Sequence, residues 1–160
     1  MLHFIVDGYN LINKIPRIEN TPLKERRDFL LSLLQGFKGT LSPRNKITVI
    51  FDGSSKISFK TGPSGSLAVL FSKNEDADSL IKRIIEQAKS PKSFVVVTDD
   101  RDIISYTRSR GAKGESTQAF LSRISKKTAR PKREDNFKLD PAQALKVNEE
   151  LKGIWKEKYL

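Results

Sequence analysis

Residues 4–10 read Phe4-Ile5-Val6-Asp7-Gly8-Tyr9-Asn10, a short apolar run that stops in a carboxylate, a glycine and an amide. A run of this length bounded by a turn signal predicts a strand covered on both faces, as in parallel sheets. Asp7 then emerges at a carboxyl end, where ligands and chemistry collect in open α/β sheets. The same pattern recurs twice. Lys46-Ile47-Thr48-Val49-Ile50-Phe51 runs into Asp52-Gly53, and Phe94-Val95-Val96-Val97-Thr98 runs into Asp99-Asp100-Arg101-Asp102.

Between these strands the apolar residues take helical spacing. Thr21-Pro22 supplies a capping side chain and a proline suited to the first helical position, ahead of Phe29, Leu30, Leu33, Leu34 and Phe37, with Gly36 and Gly39 at the far end. Residues 57–61 alternate weakly, Gly62-Pro63-Ser64-Gly65 is a turn, and 67–71 is apolar, which predicts a hairpin-like excursion or a sheet edge. Asn74-Glu75-Asp76-Ala77-Asp78 opens a helix with Ala77, Leu80, Ile81, Ile84, Ile85 and Ala88 on its apolar face. Asp76 and Asp78 fall on opposite flanks of that face, so one looks into the sheet edge while the other meets solvent.

Gly111-Ala112 closes the helix after Asp102, and Ser116 caps the next, with Phe120, Leu121 and Ile124 inward. Residues 126–138 form a basic connector, and Asp140-Pro141 starts a terminal helix carrying Leu145, Leu151, Ile154, Trp155 and Tyr159. The order predicts one α/β domain with its main strands parallel. Its core unit spans 1–127; residues 128–160 pack on or beside it.

Composition narrows the chemistry. The 160 residues contain no cysteine and one histidine, His3, which opens the first strand at the end opposite Asp7. Thiolate chemistry, cysteine-based metal sites and a Ser-His-Asp triad are excluded, leaving carboxylates, amides, hydroxyls and basic side chains. No apolar segment approaches a membrane span and no leader pattern opens the chain, so a cytosolic protein is expected, with a monomer favoured. The net charge of +11 favours polyanions such as nucleic acid.

Parallel strands bring Asp7, Asp52 and Asp99 to one edge, joined by Asp78 and Asp102 from the first turns of helices. One aspartate after a strand is ordinary turn and cap chemistry. Several at one edge repel each other, and a divalent cation relieves the conflict: Mg²⁺ or Mn²⁺ takes oxygen ligands and can activate water against a phosphodiester. Asp100 reads as a cap or a solvated group and Asp76 as a cap or a support. Asn10 can turn its amide toward the site, and Tyr9 either stacks on a base or packs over the strand end. Lys56, Lys60, Lys73, Arg108, Arg110 and Lys113 adjoin the edge and are candidate backbone-phosphate contacts. Other acid-based α/β sites fit less well; a haloacid-dehalogenase-type phosphatase, for one, wants an acid where Tyr9 stands.

Val6-Asp7-Gly8-Tyr9-Asn10-Leu11-Ile12, Val49-Ile50-Phe51-Asp52-Gly53, Asp76-Ala77-Asp78, Thr98-Asp99 and Arg110-Gly111-Ala112, in this order, resemble the NYN-domain, PIN-like ribonucleases of the YacP type. The resemblance runs through most of the chain, Trp155 included. It implies a PIN-like three-layer fold with a central, mainly parallel sheet flanked by helices, and a metal-dependent endoribonuclease acting on RNA, with mRNA met at the ribosome as its substrate. It also implies Asp7 and Asp78 at the catalytic core, Asn10 and Asp99 in support, and Asp52 as a ligand or its support. Asp99-Asp100-Arg101-Asp102 departs from the relatives' spacing of their last two acids, which touches the role of Asp102. A non-catalytic RNA- or ribosome-binding module is the alternative.

Overall fold

In the computed structural model, residues 1–53, 59–61 and 67–128 are described; Lys56 and the expected terminal helix with Trp155 lie outside them, and Lys60 is described through its backbone alone. The apolar runs become strands β1 (His3–Asp7), β2 (Lys46–Phe51), β4 (Leu67–Phe71) and β5 (Phe94–Val97), joined by the short β3 (Phe59–Thr61) and β6 (Lys113–Glu115). Together they form one sheet of order β3-β4-β2-β1-β5-β6. Every neighbouring pair is parallel except β3 with β4. The excursion at 57–71 thus resolves into an antiparallel edge strand and a strand that joins β2 in parallel.

The helices are α1 (Gly8–Ile12), α2 (Leu23–Lys38), α3 (Ala77–Glu86), α4 (Arg101–Ser109) and α5 (Thr117–Thr128). One core packs Phe4 and Val6 of β1 against Leu11, Leu30, Leu34, Phe37, Phe120 and Ile124 from α1, α2 and α5. The other packs Ile5, Ile50 and Val96 against Ala77, Ile81, Ile85 and Ile103 from α3 and α4. The strand period of two therefore divides the sheet into a face covered by α1, α2 and α5 and a face covered by α3 and α4. The three layers, α/β with a parallel sheet, are as expected. Phe4 sits at the centre, its ring 6.0 Å from Phe37 and 5.8 Å from Phe120; full burial of such a side chain contributes about 1.5–3 kcal/mol.

The chain leaves β1 toward β2 by way of α2 on one face, then returns to β5 and β6 by way of α3 and α4 on the other. Reversal of direction with a change of face keeps one hand of crossover and puts the switch point between β1 and β5. Two local expectations are corrected, and one element is added. Thr21 does not cap α2: its hydroxyl donates to the Ile18 carbonyl, and Pro22 occupies the cap without a side-chain bond. The segment after Asp7 is a helical turn, α1, where a plain turn was expected. Lys113–Glu115 is a strand, too short to show a period.

Candidate functional site

Asp7 ends β1 at the switch point and is 5% exposed. Its carboxylate accepts from the Asn10 backbone N–H at 3.2 Å, the Asn10 side-chain amide at 2.9 Å and the Thr98 hydroxyl at 3.2 Å. It also caps α1. Burial lifts its pKa above the usual carboxylate range; the Asn10 and Thr98 hydrogen bonds oppose the rise and the charge of Asp100 adds to it. Asn10 is fixed on both sides, because its carbonyl oxygen accepts from the Asp99 backbone N–H at 3.3 Å. That double bond assigns the amide orientation.

Asp78 lies in the first turn of α3, half-buried. Its pKa is raised first by desolvation and then by Asp100, Asp7 and Asp76, with Lys82 opposing. Asp7, Asp78 and Asp100 are therefore one electrostatic cluster, on the sheet face that carries α3 and α4. Asp76 caps α3 through the Ser79 N–H at 2.6 Å, and its pKa is lowered by the Ser79 side chain first and then by that backbone bond. Asp100 caps α4, accepting from the N–H groups of Asp102 at 2.8 Å and Ile103 at 3.0 Å. Its membership of the cluster was not anticipated.

The other expected acids have different partners. Asp99 accepts from the Thr117 N–H at 2.9 Å and the Thr117 hydroxyl at 2.6 Å, and Lys14 approaches to 3.7 Å. It thus ties the end of β5 to the start of α5, on the opposite face from Asp7. Asp52 accepts from the Ser72 hydroxyl at 2.9 Å, joining the ends of β2 and β4. Asp102 reaches the cluster through its backbone N–H to Asp100. Strand alternation could have foretold the division: Val96 and Thr98 share the face of Asp7, whereas Val95, Val97 and Asp99 share the other.

Among the basic candidates, Lys73 is exposed at the carboxyl end of β4, and Lys113 is exposed at the start of β6. Arg110 pairs with Glu86 at 3.3 Å and stands 5.1 Å from the Tyr106 ring centre. Tyr9 packs its half-buried ring 5.2 Å from Phe51. Arg108 lines a cleft of about 390 Å³ with Thr98, Asp99, Arg101, Ile104, Ser105, Gly114 and Ser116. Neither Arg101 nor the cleft was singled out by the sequence.

Among the described residues, no three of His, Cys, Asp or Glu form a group able to hold a metal ion. The donor chemistry nonetheless suits a hard cation. It is all oxygen, and the coupled carboxylates of Asp7 and Asp78 would each be eased by positive charge. Mg²⁺ is commonly held by one or two carboxylates while keeping several waters, so this pair fits a hydrated ion.

The family model for the YacP-like NYN domain matches residues 4–158. Solved structures are similar to the chain as well. The crystal structure of Rae1 (YacP) from Bacillus subtilis is 22% identical, covering 99% of this chain and 84% of that one, with a TM-score of 0.63. The W164L mutant of the same protein is 25% identical, covering 79% and 77%, with a TM-score of 0.60. No curated protein matches the chain.

Proposed function

The chain belongs to the YacP-like NYN domain family, and from that premise we propose that it is an endoribonuclease that hydrolyses RNA phosphodiester bonds with Mg²⁺ or Mn²⁺. The family is nuclease-like and RNA-related; the internal cut, the metal and the residues are the proposal. The observation that carries it is the buried Asp7 carboxylate at the switch point, held by Asn10 and Thr98 and pressed by the charges of Asp78 and Asp100. A protein keeps mutually repelling acids together where their charge has work to do.

Asp7 and Asp78 would hold the cation, with Asp100 adding negative potential. When bound, such an ion supplies Lewis-acid stabilisation to a phosphodiester under attack by water. Asn10 keeps the Asp7 carboxylate in one orientation through its amide and is itself held by Asp99 N–H. Asp99 acts through that backbone contact and through its hold on α5. Asp52 and Asp102 serve at the margin, as supports of the β2–β4 end and of the α4 turn. Lys73, Arg108 and Lys113, with Lys56 and Lys60, would meet RNA phosphates, giving salt-dependent affinity with little sequence preference. Arg110 and Tyr9, already engaged with Glu86 and Phe51, would contribute less.

Residues 1–127 form the catalytic unit in this reading, and 128–160 a basic connector and helix beside it. mRNA at the ribosome is the proposed setting, in the cytoplasm, with the protein monomeric.

The test is incubation of purified protein with labelled RNA, with and without Mn²⁺, alongside Asp7→Asn and Asp78→Asn. Cutting that needs Mn²⁺ and is lost in both folded variants supports the reading. If both variants cut as well as wild type, the site is wrong. If nothing cuts, on naked RNA or during translation, while RNA binding is tight and survives both substitutions, the protein is a binding module.

A further inference from the structure

The cleft between α4 and the start of α5 is lined by two guanidinium groups that form no ion pair among the described residues. Arg83, Arg110 and Arg123 each face a glutamate. Arg101 and Arg108 line the cleft exposed, with no ion-pair partner among the described residues. Their spacing with Ser105 puts all three on one face of α4, since residues three and four apart are neighbours. The cleft also has a built floor. A side chain on Gly114 would meet the Ile104 Cδ1 at 2.7 Å, so glycine there sets how closely α4 lies on β6. On the far wall, Ser116 caps α5 by accepting from the Ala119 N–H at 3.2 Å, and the Thr117 N–H at the helix start goes to Asp99. The one carboxylate on the wall, Asp99, has both oxygens bonded by Thr117 and Lys14 beside it.

We propose that this cleft is a second anion subsite, gripping an RNA phosphodiester removed from the bond that is cut. The proposal rests on the RNA-cleaving reading above. Its volume, about 390 Å³, lies within the range of sites for nucleotide-sized ligands. Paired guanidinium forks match phosphate oxygens in geometry and charge. Thr98 connects the two places: it lines the cleft, and its hydroxyl donates to Asp7 at 3.2 Å. Thr98 is fully buried, so the arginine cleft and the place where the scissile phosphate would lie adjoin across one shared residue. One site repels anions unless neutralised while the other attracts them, so the cleft supplies the grip that the acid cluster lacks.

The experiment measures binding of a labelled single-stranded RNA to the Asp7→Asn protein, which does not cut, by fluorescence anisotropy over a range of KCl concentrations. Arg101→Gln with Arg108→Gln is compared with Arg44→Gln, which removes an equally exposed charge at the amino edge of the sheet. The double variant should bind about tenfold more weakly and lower the salt slope by about 0.7, the contribution of one phosphate contact on a single strand. Arg44→Gln should change neither appreciably. In protein with Asp7 intact, the arginine double variant should raise KM and leave kcat within about twofold. Parent-like affinity and slope in the double variant, an equal loss in Arg44→Gln, or no RNA binding by the parent overturns the subsite. If wild type fails to cut but the binding loss stands, the nuclease reading falls and the subsite remains. If cutting depends on Asp7 and Asp78 while the double variant binds normally, the subsite falls alone.

Discussion

Gly8→Ala isolates the packing that aims the site. Gly8 starts α1 directly after Asp7, and its backbone does not adopt a positive φ, so the turn conformation that favours glycine is not the reason for it. A Cβ at this position would lie 2.4 Å from Phe51 Cε1, 2.5 Å from Cδ1 and 2.9 Å from the Ile50 carbonyl oxygen. The ring cannot swing away at low cost. Phe51 is fully buried, with Tyr9 at 5.2 Å, Phe71 at 5.7 Å and the Arg27 guanidinium 6.0 Å from its centre. Overpacking of this kind costs about 1–3 kcal/mol, against which alanine's better helix propensity returns at most about 1 kcal/mol. For a net cost of about 2 kcal/mol, at about 2–4 °C per kcal/mol for a chain of this size, Tm should fall by roughly 4–8 °C. Because α1 must shift to relieve the clash, Asn10 leaves Asp7, and RNA cleavage should drop more than stability alone explains, by up to about a hundredfold for an ångström of misplacement. Thermal melts and single-turnover cleavage of the same preparation measure the two effects. Phe51→Leu in the Gly8→Ala background should recover part of the loss, so that the double variant is less damaged than the sum by about 1 kcal/mol; the Ile50 carbonyl keeps recovery incomplete. A Gly8→Ala protein with wild-type Tm and rate would refute the close-approach argument.

Asp7→Asn should abolish cleavage, and in metal-free protein its Tm relative to wild type should fall as the pH is lowered from neutral. Burial raises the Asp7 pKa above 3.8, so the native state holds its proton to higher pH than the unfolded chain, and this group's contribution to stability falls as pH rises through that window. An amide in place of the Asp7 carboxylate offers one acceptor oxygen to the three donors of Asn10 and Thr98, so the pH trend is the readout: a Tm difference that does not move against the variant as pH falls contradicts it. Asp99→Ala should do the reverse, lowering Tm by removing the Thr117 tie, at a cost of about 1–2 kcal/mol, and cutting at low temperature far better than Asp7→Asn. Equal loss of cleavage in both would restore Asp99 to the reacting groups. His3 is pushed down from 6.5 to about 4 by burial and by Lys46. The unfolded chain binds the extra proton first, so stability falls as pH drops from 6.5 to about 4. The share from His3 is about 1–2 kcal/mol after discount for its partial exposure. Denaturant melts of His3→Gln against wild type between pH 7 and 4.5 should show the smaller decline in the variant.

The sheet was readable because its strands are buried on both faces. Val49-Ile50-Phe51 and Val95-Val96-Val97 are apolar at every position, a pattern that specifies a parallel strand and its end together. What could not be read was short: α1 has five residues and β6 three, less than any period needs. β6 forms because Gly114 lets Ile104 of α4 approach, a tertiary reason that leaves only a glycine in the sequence.

The acids show where a one-residue decision defeats a pattern argument. Asp99 and Asp100 are adjacent, and either could close a site with Asp7 if only the strand end is counted. Alternation separates them, because Thr98 shares the face of Asp7 and bonds to it, so Asp99 must turn toward α5. The chain then reverses into α4, whose cap is Asp100, and that cap returns a carboxylate to the face where Asp7 and Asp78 lie. Capping and charge clustering are here the same act. A residue read as a cap or a solvated group therefore carries the third charge of the cluster, while Asp99, read as a support of the catalytic core, holds the helix beside it.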